Sequence, residues 1–258
     1  MVPAAARDEP ALARHRVRVR GREIPYWTTG AGPPLILLHG FGGSSRCWTP
    51  SLGGLAATHR LFLVDWPGFG SLWRLHREFR LDEASSWLAD WIEAVALARV
   101  RIVGHSMGGY VAASFAARYP DLVERLVLVA PAGIPSGRSL VRHLVALPRG
   151  LRQHTFASLR LLAPDLLRTR PRLALRIARE LLAADVIPTL GAIRAPTLVA
   201  WGARDLVLPP AGGEVFRRGV RDCQLVVVEG TGHLPMVHRP REFAAVVSAF
   251  LAGQQVGG

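Results

Sequence analysis

Short apolar runs alternate along the chain with stretches of helical periodicity. The apolar runs predict buried strands at residues 35–39, 61–65, 100–103, 126–130, 197–201 and 224–229. Apolar residues recur at helical spacing at 81–98, 107–118, 212–219 and 239–251. Alternation of strands with helices is typical of a parallel sheet. The chain is therefore predicted to be an α/β protein, with a mostly parallel twisted sheet and helices on both of its faces.

Two segments do not follow this alternation of strands and helices. Residues 17–20 and 23–28 are predicted to pair as an antiparallel hairpin around the turn at Gly21 and Arg22. Residues 134–190 are helical in pattern, are interrupted by prolines and contain no convincing strand. We interpret 134–190 as an inserted helical cap, or lid, in a core formed by residues 1–133 and 191–258.

The length and composition of the chain favour a single domain with a hydrophobic core. Half of the 258 residues are apolar, so the chain can bury a sizeable core. Its apolar runs are too short to span a membrane, and the charged first 20 residues lack the apolar region of a signal peptide. The two cysteines form no CxxC motif and suggest neither a disulfide framework nor a metal site. A cytoplasmic location is expected.

The net charge of +13 is carried entirely by arginine, because the chain contains no lysine. A nucleic-acid partner is one interpretation of such a charge. The arginines are spread through helical stretches, however, and no nucleic-acid-binding motif accompanies them. No nucleic-acid partner is therefore expected.

The candidate nucleophile is Ser106, in the sequence Gly104-His105-Ser106-Met107-Gly108. This matches G-x-S-x-G, and it lies between a predicted buried strand and a predicted helix, which is the context that the motif requires. A serine that merely caps a helix after a glycine-rich turn is the alternative. A hydroxyl alone is a weak nucleophile, so a base must come from elsewhere in the chain.

Here the chain resembles the α/β-hydrolase superfamily, from the first hairpin nearly to the last helix. The run His39-Gly40-Phe41-Gly42-Gly43 is similar to the family's H-G-x-x-G turn. The resemblance implies that the backbone N–H groups of Phe41 and Met107 form an oxyanion hole, while His39 is interpreted as structural. The run from Asp65 to Gly70 is similar to the family's D-x-P-G-x-G loop and is also interpreted as structural.

Two further motifs imply the remaining members of a catalytic triad. Asp205 follows a predicted strand in Trp201-Gly202-Ala203-Arg204-Asp205, where the family has its acid; the alternative is an aspartate that starts a turn. His233, in Gly230-Thr231-Gly232-His233, corresponds to the family's base. His238 is a rival base, but the glycine before His233 and the order Ser, Asp, His favour His233.

The resemblance implies acyl transfer, because dehalogenases and epoxide hydrolases of this fold carry aspartate where this chain has Ser106. We expect hydrolysis of small or medium acyl carboxylic esters through an acyl-enzyme, with no cofactor and no metal. The expected partner is a small-molecule substrate, and a membrane or lipid surface is a further possibility. Nothing in the sequence determines the oligomeric state.

The role of the cap arginines and two alternative functions remain open. Ten arginines lie in the predicted cap between Arg138 and Arg179, either as solvated helix faces or as groups that attract an acidic substrate. If one of them points inward, a carbon–carbon bond hydrolase of acidic dienol ring-cleavage products becomes the alternative, although His105 replaces the asparagine usual there. Some family members that retain the triad are instead ligand receptors.

Overall fold

The computed structural model describes residues 10–76, 78–135 and 156–257, with the backbone alone at 156–160. Its framework is one sheet of eight strands. The strands are β1 Ala13–Val19, β2 Arg22–Thr29, β3 Pro34–Leu38, β4 Arg60–Val64, β5 Val100–His105, β6 Val123–Val129, β7 Thr197–Gly202 and β8 Cys223–Val228.

The strands lie in the order β1-β2-β4-β3-β5-β6-β7-β8. The pairs β1/β2 and β2/β4 are antiparallel, and every other pair is parallel. β3 has β4 on one side and β5 on the other, so the chain changes direction across the sheet at this strand. In open α/β sheets such a switch point, at the carboxyl ends of the strands, is where ligands bind.

The predicted hairpin of β1 and β2 is confirmed, but its turn lies one residue earlier than predicted, because Arg22 is already part of β2. Its turn contains Arg20 at φ 48° and Gly21 at φ 76°. Positive φ at two successive residues gives the turn the twist that an antiparallel hairpin needs. Across the hairpin, Val19 pairs with Arg22.

Helices cover both faces of the sheet, as predicted. They are α1 Leu52–Ala56, α2 Ala84–Ala94, α3 Met107–Arg118, α4 Phe156–Arg168, α5 Pro171–Ala183, α6 Gly212–Gly219, α7 Pro235–His238 and α8 Pro240–Leu251. Shorter 3₁₀ turns occur at Ser45–Ser51, Gly70–Leu75, Pro120–Leu122 and Ile187–Ala192. None of the helices in the described part of the chain is long and apolar enough to cross a membrane.

Two apolar layers result from the two-residue period of the strands. Ile36 and Leu38 of β3 point into the layer under α2, α3 and α6, while Leu35 and Leu37 point into the layer under α1 and α8. Side chains alternate across a strand, so a central strand must be apolar at every position to cover both layers. This is why the central strands read as continuous apolar runs.

The helix predicted at 81–98 is shorter than expected. α2 begins at Ala84 and ends at Ala94, and Ala96 has φ 60°, which no α-helix contains. Leu81 before α2 is buried in a turn, and Val95 and Leu97 after it are half-buried, so the apolar periodicity extends beyond the helix at both ends.

Between β6 and β7 the described residues contain α4, α5 and the turn at Ile187–Ala192, and no strand. Residues 136–155 lie outside the described residues. The predicted division into a core and an inserted cap of residues 134–190 therefore stays a prediction. We refer to α4 and α5 as the inserted helices.

Candidate active site

Ser106 occupies the tight turn between β5 and α3. Its backbone has φ 54° and ψ −114°, a conformation that costs a non-glycine residue about 1–3 kcal/mol. Three hydrogen bonds hold it: its N–H donates to the Val129 carbonyl at 2.9 Å, and its carbonyl accepts from the N–H groups of Tyr110 and Ala132, each at 3.0 Å. The strain is thus maintained by the surrounding backbone.

Two glycines allow this turn to form. A Cβ on Gly104 would lie 2.4 Å from the Gly108 carbonyl oxygen, and a Cβ on Gly108 would lie 2.5 Å from that of Leu38. Real Cβ atoms do not approach backbone oxygens so closely, so the strand-to-helix crossing requires hydrogen at both positions. The sequence motif therefore encodes the close approach of α3 to the end of β3.

Asp205 lies in the loop after β7 with its side chain fully buried. Its Oδ1 accepts hydrogen bonds from the backbone N–H groups of Val207 at 2.8 Å and Leu208 at 2.9 Å. Its Oδ2 is 2.7 Å from Nδ1 of His233. Together these bonds fix the orientation of the group.

His233 lies in the loop after β8, and 13% of its side chain is exposed. Because the Asp205 carboxylate accepts, Nδ1 of His233 carries the proton, and Nε2 remains available to take another. The two loops are tied together by the Arg204 N–H, which donates to the Thr231 carbonyl at 2.9 Å. The backbone of the two loops therefore holds Asp205 and His233 close to each other.

His105 contributes support that sequence reasoning missed. Its Nε2 is 2.9 Å from the carbonyl oxygen of His233, which can only accept, so Nε2–H donates. The two imidazole rings lie 4.7 Å apart. His105 therefore helps to hold the loop of His233 beside the serine turn. In the sequence its only signal was its place before Ser106.

The three candidate catalytic residues lie at one edge of the sheet. Ser106, Asp205 and His233 follow the carboxyl ends of β5, β7 and β8, which run parallel. Parallel strands bring the ends of distant segments together. Their catalytic roles are taken up below as a proposal.

The turn after β3 lies directly against Ser106. A Cβ on Gly40 would be 3.1 Å from Cβ of Ser106 and 2.8 Å from Nδ1 of His105. The next residue, Phe41, is predicted to donate one backbone N–H to an oxyanion. The second predicted donor, Met107, is the first residue of α3, where backbone N–H groups have no acceptor within the helix.

His39 is buried and has a structural role, as interpreted from the sequence. Its Nδ1–H donates to the Gly40 carbonyl at 2.8 Å, and its Nε2 accepts from the Trp66 N–H at 3.1 Å. Burial lowers the pKa of His39, which keeps the ring neutral. Both ring nitrogens are thereby used to join the turn of residues 39–43, which we call the oxyanion turn after its predicted role, to the loop after β4.

His238, the rival base, is the last residue of α7 and is partly buried. Burial lowers its pKa. Oδ2 of Asp205 is occupied by His233, and Oδ1 is occupied by two backbone donors. The carboxylate therefore orients His233.

One inserted helix is attached to the core beside this site. Asp165 of α4 is buried, and its Oδ2 accepts a hydrogen bond of 2.5 Å from the Ser44 hydroxyl. Burial raises the pKa of Asp165, although the Ser44 bond and Arg46 act in the opposite direction. No sequence pattern indicated this contact, since Asp165 is one of few carboxylates among many arginines.

No cluster of three or more histidine, cysteine, aspartate or glutamate side chains that could hold a metal ion occurs within residues 10–76, 78–135 and 156–257. The groups that converge at the sheet edge are instead a hydroxyl, an imidazole, a carboxylate and backbone N–H groups. This combination can carry out nucleophilic attack with proton transfer.

Comparison with known proteins finds relatives over most of the chain. The chain is 27% identical to monoacylglycerol lipase abhd6-A of Xenopus laevis over 86% of its length and 76% of the relative's. Among solved structures, a membrane phospholipase A, described as a bacterial virulence factor, matches with a TM-score of 0.81. The identity is 30%, over 94% of this chain and 86% of that one.

A second solved structure shows the shared fold alone. The meta-cleavage product hydrolase CumD of Pseudomonas fluorescens matches with a TM-score of 0.77 and 22% identity, over 95% of this chain and 98% of that one. The model of the alpha/beta hydrolase family matches residues 35–246, which include every candidate site residue. The chain is a member of the alpha/beta hydrolase family, and it is a hydrolase.

Proposed function

We propose that the protein is a serine hydrolase that cleaves small or medium acyl carboxylic esters through an acyl-enzyme on Ser106. The observation that carries the proposal is the 2.7 Å bond between Asp205 and His233, at the same sheet edge as a strained serine turn. A nucleophile, a base and an acid that orients the base are the three parts that this chemistry needs.

In the first step, Oγ of Ser106 attacks the carbonyl carbon of the ester while Nε2 of His233 takes the hydroxyl proton. The negative charge that develops on the carbonyl oxygen is stabilised by the N–H groups of Phe41 and Met107. His233 then gives its proton to the departing alcohol oxygen, and the acyl group stays on Ser106. Asp205 stabilises the imidazolium that exists between these two transfers.

In the second step, water replaces the alcohol. Nε2 of His233 takes a proton from the water, whose oxygen attacks the acyl carbon, and the proton then returns to Ser106 as the carboxylic acid leaves. Each oxyanion donor in such a site lowers the barrier by about 2.7–4 kcal/mol. The N-terminus of α3 behind Met107 adds a favourable dipole. Apart from the ester and the water molecule, the reaction uses only groups of this chain.

The names of two relatives support an ester substrate. One is called a monoacylglycerol lipase and another a membrane phospholipase A. A small-molecule ester with an apolar acyl group is the partner that this proposal implies. Residues 134–190, as an inserted cap, would select the acyl length.

The described side chains of the inserted helices give less support to the carbon–carbon bond hydrolase. The side chains of Arg138, Arg142, Arg149, Arg152 and Arg160 lie outside the described residues. That alternative requires an arginine that points into the site. Arg176, the least exposed arginine from 168 to 179, instead donates to the Phe79 carbonyl and lies 3.6 Å from Glu180. Arg168, Arg170, Arg172 and Arg179 are exposed.

A cytoplasmic location is part of the same proposal. Cys47 and Cys223 are both free thiols, and burial raises the pKa of Cys223 to about 12, which keeps it unreactive. Unpaired cysteines are typical of proteins in reducing compartments.

Release of p-nitrophenol from acetate, butyrate and octanoate esters tests the proposed activity. We expect sustained turnover with a maximum at one chain length, and a loss of about 10⁴-fold or more in Ser106→Ala and His233→Ala. His238→Ala is the matched control and should retain activity. If native protein and Ser106→Ala are equally inert, ester hydrolysis is wrong. Release of one equivalent followed by arrest would instead indicate a ligand receptor.

A further inference from the structure

We propose that residues 166–175, where α4 ends and α5 begins, form a docking surface for a bilayer of anionic phospholipid. We call this segment the docking ridge. Its sequence, Leu-Leu-Arg-Thr-Arg-Pro-Arg-Leu-Ala-Leu, contains three arginines and no carboxylate. The proposal concerns binding alone and does not depend on the ester hydrolysis proposed above.

The ridge is unusually apolar for an exposed segment. Leu167 is 87% exposed, Leu166 50% and Leu175 45%. These are three of the seven large apolar side chains that are exposed in the described part of the chain. An exposed leucine gains free energy when it enters the acyl boundary of a bilayer, which is a reason for such side chains to lie together on a surface.

The arginines of the ridge have no intramolecular counterions among the described residues. Arg168, Arg170 and Arg172 are exposed, and no carboxylate of those residues lies within 4.0 Å of them. Some exposed arginines elsewhere are neutralised, as where Arg217 and Arg218 share Glu214 at 2.6 and 2.7 Å. The positive charge of the ridge is therefore available to an external anion.

A neighbouring arginine increases this charge. The guanidinium groups of Arg74 and Arg170 lie over the Trp73 ring, 5.2 and 5.6 Å from its centre. Two like charges on one indole repel each other, and a bound anion would relieve that repulsion. A cleft of about 540 Å³ opens beside them, lined by His76, Arg170, Pro171, Arg172, Leu173 and Arg176. This space is ample for a headgroup phosphate.

The ridge borders the candidate active site. Cδ2 of Leu166 lies 3.1 Å from the position that a Cβ would take on Gly42, the residue after Phe41. A bilayer that received Leu167 would thus lie beside the oxyanion turn. The ridge would hold the opening of the site against the surface.

The chemistry of the ridge identifies the occupant. A small soluble anion would use the arginines but would leave the leucines in water, and a nucleic acid would do the same. An anionic bilayer satisfies both, because its phosphates meet the guanidinium groups while its acyl chains receive the leucines. Both kinds of side chain lie within ten residues, with the three arginines between the leucines at either end, which matches an interface where both environments lie close together.

Vesicle flotation of the full chain tests the ridge, with Ser106→Ala as the background so that no lipid is hydrolysed. Vesicles of phosphatidylcholine alone are compared with vesicles of equal parts phosphatidylglycerol and phosphatidylcholine. We expect binding to the anionic vesicles only. Arg170→Gln/Arg172→Gln should weaken it by about thirtyfold, since each arginine near an anionic surface contributes about fivefold. Leu167→Ser/Leu175→Ser should also weaken it, by about tenfold or more.

Arg99→Gln/Arg221→Gln is the matched control. It removes the same charge from exposed arginines that precede β5 and β8, at the sheet edge opposite Ser106. This variant should bind like the background protein. The proposal is wrong if no vesicle binds, if phosphatidylcholine alone binds equally well, or if the control loses as much affinity as the ridge variant.

Discussion

The carboxylate of Asp205 determines which nitrogen of His233 carries a proton. Two backbone N–H groups, of Val207 and Leu208, hold Oδ1, so Oδ2 is left for Nδ1 of the imidazole. A histidine held in this way presents Nε2 without a proton, as a general base must. At the scale of single residues, the site depends on this one orientation.

Asp205→Asn tests that orientation. We expect the asparagine oxygen to keep the two backbone donors, which turns its NH₂ group toward His233. Nδ1 must then accept, Nε2 becomes protonated, and kcat should fall by about 10⁴-fold. Ester hydrolysis at saturating substrate measures the effect, with the exposed Asp222→Asn as control. Retention of a tenth or more of the native kcat would contradict the assigned role.

At the scale of elements, the contact between α4 and the core depends on a buried carboxyl group. Asp165 accepts from Ser44, while its Oδ1 is buried without a hydrogen-bond partner among the described residues. Asp65 lies near enough to help raise the pKa of Asp165, to which burial contributes most. The charged form of Asp165 therefore carries a desolvation cost that the neutral form does not.

This cost predicts how Asp165→Asn changes stability with pH. Because the pKa of Asp165 is higher in the folded chain than its ordinary 3.8, the native protein loses stability as pH rises from that value through the folded pKa. The neutral asparagine escapes this loss. We expect the variant to be the more stable protein at pH 8, with the difference vanishing as pH falls toward about 4.

Urea unfolding at several pH values measures the difference, with the exposed Asp185→Asn as control. An Asp165→Asn variant that is less stable than the native protein at pH 8, by an amount that persists at low pH, would show that the Ser44 contact outweighs the desolvation.

At the scale of the whole molecule, burial keeps several histidines neutral. It lowers the pKa of His39 in the oxyanion turn, of His59 before β4 and of His238 at the end of α7. These groups lie in separate parts of the core, so their effects on global stability should add. Each takes up a proton more readily in the unfolded chain than in the folded one.

The folded protein should therefore lose stability as pH falls through about 6.5, the ordinary histidine value. The unfolded chain binds the extra protons in this range, and that gives the sign. Asp165→Asn is used as the background because the raised pKa of Asp165 acts in the opposite direction, and there we expect the free energy of unfolding, measured with urea, to decrease from pH 7.5 to pH 5. His59→Gln should reduce the slope. A slope of opposite sign would contradict the burial of neutral rings.

Much of the framework could be predicted because its signals are local. The central strands are apolar at almost every position and are bounded by glycine, proline or charged residues, so their places along the chain were clear. The strained turn at Ser106 could be anticipated because Gly104 and Gly108 are needed where backbones nearly touch. Helix ends were less predictable, since the left-handed Ala96 carries no signature in the sequence.

Contacts between distant segments could not be read in the same way. The Ser44–Asp165 bond spans 121 positions, and the bond from His105 to the His233 carbonyl spans 128. No sequence pattern at either residue of a pair identifies the residue to which it bonds. The two bonds depend on how α4 and the loop after β8 lie against the sheet.

The sequence by itself determined the fold class, the order of strands and helices, and the residue types available for catalysis, because short-range sterics and hydrophobic periodicity act between near neighbours. Only the tertiary structure decided which histidine meets Asp205, which carboxyl group is buried beneath α4, and that Leu166 lies beside the oxyanion turn. The reason is physical: burial, counterions and hydrogen-bond partners are properties of a place in the folded molecule, and that place exists only once remote strands and helices have packed.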